Sequence, residues 1–229
     1  MPDLRGRRRR SIIRRNTGRG VVKVDALPIR CNCGAVRAHA DLRDHHARRA
    51  VCYCRDCRMF AHFLDRADTI LDPYGGTEVV QLPQGRLRFE TGRERLACMR
   101  LTRRGLLRWH AACCHTPIGN IPAHRHLPYL GLIHGCIDYR AAGHTPDSAL
   151  GPIAWRVNAH DLAMPARDID AHDGIPLRAL IPVAVRVLGW SLRGDPRRSP
   201  FFEPATGTPI ATPRVLSPDE HTALRRALR

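Results

Sequence analysis

At 229 residues with 43% hydrophobic content, the chain is long enough to bury one large or two small cores. It contains no apolar run of 18 residues, which excludes a membrane-spanning helix. The formal net charge of +17 suggests an anionic partner such as nucleic acid. However, all but one of the 38 basic residues are arginine, Lys23 being the exception, which reads as the coding bias of a GC-rich genome. Only 5% of the chain is aromatic, so stacking platforms for single strands are scarce.

Residues 1–21 are poor in apolar side chains and rich in arginine, and are expected to form a disordered basic tail. The tail is solvated or serves as a nucleic-acid-binding arm, and nucleic acid is otherwise not expected as a partner. No apolar segment of signal-peptide type follows it, so a cytoplasmic location without membrane contact is expected. Thiols stay reduced there, and clustered cysteines read as metal ligands or catalytic groups rather than disulfides. The total of nine cysteines also leaves at least one outside any full set of pairs.

Residues 22–140 have the texture of a β domain. Cys31 and Cys33 come first, with Gly34 permitting a tight turn. Cys52, Cys54 and Cys57 follow within six residues. The spacing of Phe60, Phe63, Leu64 and Ala67 predicts a short helix beginning at Cys57, capped by Asp56. The runs TEVVQL, GRLRFETG, LLRWHA and YLGLIHGCID read as strands between Gly, Pro and Thr punctuation. Leu87 and Phe89 alternate with charged residues, as suits a half-buried strand. Residues 141–229 form a C-terminal extension that opens on a loop or linker, AAGHTPDSALGP. Residues 177–190 are apolar enough for a buried helix that Pro182 begins or kinks. Ser217, Pro218 and Glu220 form a capping box that starts a last helix over 217–229. Both helices are expected to pack on the β domain.

The thiols fall into two sets. Alternate residues of an extended chain share a face, so Cys52 and Cys54 converge on one ion, and Cys57 adds the C-x-x-C spacing of a zinc knuckle. Three ligands of a tetrahedron then come from one segment, and His62 on the following helix points toward the fourth position or away from it. Cys31 and Cys33 together with Cys113 and Cys114 make a closed, structural set. Adjacent cysteines serve one ion only where the chain turns; otherwise His110 or His115 replaces one of them. Isolated Cys98 and Cys136 read as small buried hydrophobes.

C-x-C-G-x-V at 31–36, C-x-C-x-x-C at 52–57 and R-W-x(4)-C-x-T-P-I at 108–118 resemble the glutathione-dependent formaldehyde-activating enzyme family, which includes centromere protein V. The resemblance covers about residues 28–140. It implies a mainly β fold, the Mss4-like zinc-binding β-tent, here with added C-terminal helices. It also implies two zinc ions: a structural one at the C-x-C pair and a later cysteine pair, and a catalytic one at Cys52, Cys54 and Cys57 with an open position for a substrate thiolate. This chain departs from the pattern in the later pair. Aligning Cys114 on the second family cysteine puts Ala111 at the first, and aligning Cys113 puts His110 there. The vicinal Cys113 and Cys114 resemble a bacterial branch with C-C-x-T-P.

The function expected is that of a zinc-dependent carbon–sulfur lyase acting on adducts of a small thiol, such as glutathione, with an aldehyde-like carbon. The alternative is a non-catalytic, zinc-stabilised binding module, supported by the basic tail and by the lack of an evident general base beside the thiols.

Overall fold

The computed structural model describes residues 24–43, 47–166 and 168–228; the expected basic tail, 1–21, lies outside the described residues. The chain forms eleven strands among these residues: β1 Ala26–Arg30, β2 Arg37–Asp41, β3 Arg48–Cys52, β4 Thr77–Pro83, β5 Leu87–Thr91, β6 Leu96–Arg100, β7 Leu107–Ala111, β8 Pro117–Ile121, β9 Tyr129–Ile133, β10 Ile153–Val157 and β11 Arg214–Val215. The helices are α1 Arg55–Phe63, α2 Ala67–Ile70, α3 Pro146–Leu150, α4 Leu177–Leu192 and α5 Pro218–Arg226. No helix among the described residues is long and apolar enough to cross a membrane.

The fold is mainly β, with two sheets. A small antiparallel sheet runs β1-β2-β5, and a larger one runs β10-β3-β4-β9-β8-β7-β6-β11. The large sheet is antiparallel through its centre, while β10 pairs parallel to β3 and β11 parallel to β6 at its edges. Both edge strands come from the C-terminal extension.

Strand alternation sets the layers. Leu27 and Ile29 of β1, Leu87 of β5, and Leu107, Trp109 and Ala111 of β7 point into one core between the sheets. The other face of β7 is buried too, because α1 lies across it. The Arg108 guanidinium sits 5.5 Å from the Phe60 ring centroid, and His110 meets the Phe60 and Phe63 rings edge-on. A second core of Met59, Phe60, Leu64, Met99, Leu101 and Leu216 forms there.

Four local expectations need correction. The helix after the thiols starts at Arg55, not Cys57, with Cys54 rather than Asp56 at its cap position. Asp56 instead lies in the first turn, 3.5 Å from Arg108. The helix also stops at Phe63, because Asp65 is left-handed (φ 54°), and Ala67 opens the separate α2. The stretch read as a loop contains α3, started by a capping box between Thr145 and Ser148. The helix expected to be buried, α4, lies on the surface: only Ala179 and Trp190 are buried, while Leu177 and Leu192 are 70% and 81% exposed. Its apolar residues point two ways, one stripe covering a cavity and the other facing solvent. Pro182 lies in its second turn, where its missing N–H forfeits a single backbone bond.

The last helix follows the sequence closely. Ser217 accepts from the Glu220 N–H, and the Glu220 carboxylate accepts from the Ser217 N–H. Leu224 and Leu228 pack on the second core, and Arg58 donates to the Leu228 carbonyl at 2.8 Å. Replacing both leucines by Asp puts two charges against apolar side chains. Thermal melting should then fall by about 5 °C or more; an unchanged melt means that α5 contributes nothing to the fold.

Candidate metal centres

The first thiol set forms where two turns meet. Cys31 directly follows β1, and Gly34 (φ 77°) turns the chain back so that the Cys31 Sγ accepts from the Val36 N–H at 3.2 Å. Opposite lies the β7–β8 turn, closed by the His115 N–H on the Ala111 carbonyl and made possible by left-handed His115 (φ 56°). The turn brings vicinal Cys113 and Cys114 to the same side. The Sγ–Sγ separations are 3.5 Å for Cys31–Cys33, 4.0 Å for Cys31–Cys113, 3.2 Å for Cys33–Cys113 and 3.9 Å for Cys113–Cys114. Four thiolates about 2.3 Å from a tetrahedral metal lie about 3.8 Å apart, and the observed separations bracket that value. The set can hold a metal ion.

Thr116 fastens the two turns: its hydroxyl accepts from the Asn32 N–H at 2.9 Å and lies 3.1 Å from the Cys114 Sγ. Burial raises the Cys114 thiol, but hydrogen bonds from the Thr116 hydroxyl and from backbone at Cys33 and Thr116 outweigh it and bring the group down to about 6. Neither histidine replaces a cysteine in the set. His110 packs under α1, and burial, with His115 nearby, lowers its pKa to about 4. The departure in the later pair is thus absorbed by the turn.

The second set, Cys52, Cys54 and Cys57, lies where β3 runs into α1, and its sulfurs all come within 4.8 Å of one another. Cys52 is the last residue of β3, Cys54 precedes α1, and Cys57 lies in its first turn, with its N–H on the Cys54 carbonyl. Cys52 and Cys54 are 3.3 Å apart. Hydrogen bonds from Cys54 and Cys57, with one from Asn158, lower the Cys52 thiol; Cys54 and Cys57 rise in consequence, chiefly through Cys52. The positive end of α1 favours thiolate over thiol at these sulfurs, and clustered thiolates are the ligands a soft cation takes.

Among the described residues no His, Asp or Glu joins the triplet, and His62, in the last turn of α1, is not part of it. Cys52 and Cys57 instead line a cavity of about 400 Å³. Its walls come from strands β3, β4, β9 and β10 and from α4, which presents Ala179, Val183 and Val187 at successive turns. The size falls within the range of small-molecule sites.

Three polar residues of this cavity escape a sequence reading. Asn158 donates to the Cys52 Sγ at 3.2 Å. It follows β10 in a left-handed conformation (φ 61°) that Asn tolerates, and the Tyr53 N–H on the Val157 carbonyl draws it beside Cys52. Asn120 accepts from the buried Arg108 at 3.2 Å, which orients its amide. Tyr129 stays a protonated phenol: burial, with Cys52 and Cys57 nearby, pushes its pKa up to about 12. A left-handed Asn after a strand is a weak signal, and a strand pairing across a hundred residues leaves none.

Cys98 and Cys136 are buried among apolar side chains, which raises both thiols to about 12, as expected of inert cysteines.

No curated protein sequence matches the chain. The model of a family of unknown function, DUF6151, matches residues 22–213 and so spans strands β1 to β10, both thiol sets and the helix over the cavity; the chain belongs to that family.

Proposed function

We propose that the protein is a zinc-dependent enzyme that makes or breaks a carbon–sulfur bond between a small thiol and an aldehyde-like carbon, with a structural zinc at the four-cysteine set. The observation that carries this reading is the contrast between the two sets. Four thiols close around one point, whereas three thiols leave a side facing a cavity of small-molecule size. The resemblance of the cysteine motifs to the formaldehyde-activating enzyme family supports the same chemistry and, with the two sheets, a β-tent fold.

Zinc bound by Cys52, Cys54 and Cys57 would supply a Lewis acid that keeps a substrate thiol ionised at neutral pH. The chain does the rest. Asn158 fixes the Cys52 sulfur. The walls are mostly apolar, and Tyr129 offers a proton between them. In the forward direction the thiolate forms the carbon–sulfur bond and the carbonyl π pair moves to oxygen. That oxygen takes the Tyr129 proton; the incoming thiol gives its proton to solvent at the cavity mouth, and solvent returns one to the phenolate. The reverse direction uses the same groups.

The test is cobalt(II) in place of zinc, with 2-mercaptoethanol as a small uncharged probe. The visible spectrum should shift on addition of the thiol, as an open fourth position requires. A spectrum that no thiol moves would favour the alternative, a zinc-stabilised binding module.

A further inference from the structure

The cavity over the triplet specifies more than its size. Among the described residues, no Asp, Glu, Lys, Arg or His lines it. The wall is made by Val79, Trp155, Val157, Ala179, Val183 and Val187, and the polar groups are neutral amides and a phenol, those of Gln81, Asn120, Asn158 and Tyr129. Glutathione carries two carboxylates and an ammonium, and none of the three meets an opposite charge in this lining, so whatever part of it is drawn inside is desolvated without compensation. An alkyl or aryl group gains instead from every apolar contact.

Gly131 makes part of the room. It lies in β9 at the centre of the large sheet, paired with Gln81 and Asn120. A Cβ built on it meets nothing nearer than the Tyr129 hydroxyl at 3.5 Å. A side chain there would occupy cavity space without straining the backbone.

From this lining we infer that the group admitted to the triplet is uncharged and apolar: an alkyl or aryl thiol, or the adduct of such a thiol with an aldehyde, rather than glutathione. The inference rests on the proposed open metal site and names its substrate class.

The experiment titrates the cobalt(II) protein with benzyl mercaptan and with glutathione, following the cobalt spectrum and the fluorescence of Trp155 in the cavity wall. Benzyl mercaptan should bind about tenfold tighter or more. Gly131→Val should weaken it by about tenfold and leave metal content unchanged. Val183→Glu, on the surface helix, serves the same purpose should the strand variant fold poorly. Glutathione binding as tightly as benzyl mercaptan, or pocket variants that bind benzyl mercaptan like the parent, would overturn the inference. If 2-mercaptoethanol shifts the cobalt spectrum and these results follow, the open site stands and only the substrate class fails. If no thiol shifts it, the open site itself fails.

Discussion

Cys31→Ser is expected to give little soluble protein, and what is recovered should melt without cooperativity. Cys31 is 1% exposed, directly after β1, and its sulfur lies within 4.0 Å of Cys113, 82 residues away. The set ties the small sheet to the β7–β8 turn of the large one. A structural zinc contributes about 10–16 kcal/mol in small zinc-binding units, comparable to the whole net stability of a domain at ~5–15 kcal/mol. Loss of one of four ligands therefore removes a large share of the stability. Cys98→Ser is the control: it buries a hydroxyl equally well but touches no thiol set, so the cost is limited to about 1–3 kcal/mol. It should stay folded with full metal content, by circular dichroism and metal analysis. A soluble, cooperatively melting Cys31→Ser protein would show that the four sulfurs do not hold the sheets together.

The sequence carries the two thiol sets with unequal clarity. C-x-C-x-x-C is local, so three ligands and their convergence follow from strand alternation and one helical turn. The four-cysteine set needs a fact that spacing alone does not contain, the left-handed His115 that turns vicinal cysteines to one side. That conformation is uncommon for histidine, and nothing in the local sequence announces it. Of the strands over 77–133, β4, β5, β7 and β9 are legible as short runs between turn residues, whereas β6 and β8, LACMR and PIGNI, do not stand out in the sequence. The extension is not legible, because its strands work at the edges of a sheet built by distant residues. β10 pairs with β3 from a hundred residues away and thereby delivers Asn158 to Cys52. Helix α4 misleads for a related reason: its apolar content looks like a core helix, yet one stripe covers a cavity while another meets solvent. Composition registers both stripes and cannot tell them apart.

Cys54→Ser is expected to leave the protein folded, with one metal ion per chain instead of two and no thiol-dependent activity. The triplet spans six residues of one continuous segment, so it closes no long loop and joins no distant strands. β3 stays paired with β4 and β10 on either side, and α1 stays packed on the second core through Met59 and Phe60. The fold therefore loses little when this metal leaves. The metal site loses most, since two thiolates and a weak hydroxyl ligand bind zinc poorly and the Cys52 sulfur loses its hydrogen bond from the Cys54 thiol. Tyr129→Phe provides the complementary result. It should keep both metal ions and the thiol-induced cobalt shift, because the phenol lines the cavity and belongs to neither thiol set, while turnover falls by about 10²-fold or more. Metal analysis, a thermal melt and a cobalt titration on the three proteins decide the matter. Parent protein with one metal ion per chain, or Cys54→Ser protein with both, would sink the assignment of the triplet as a second, open metal centre.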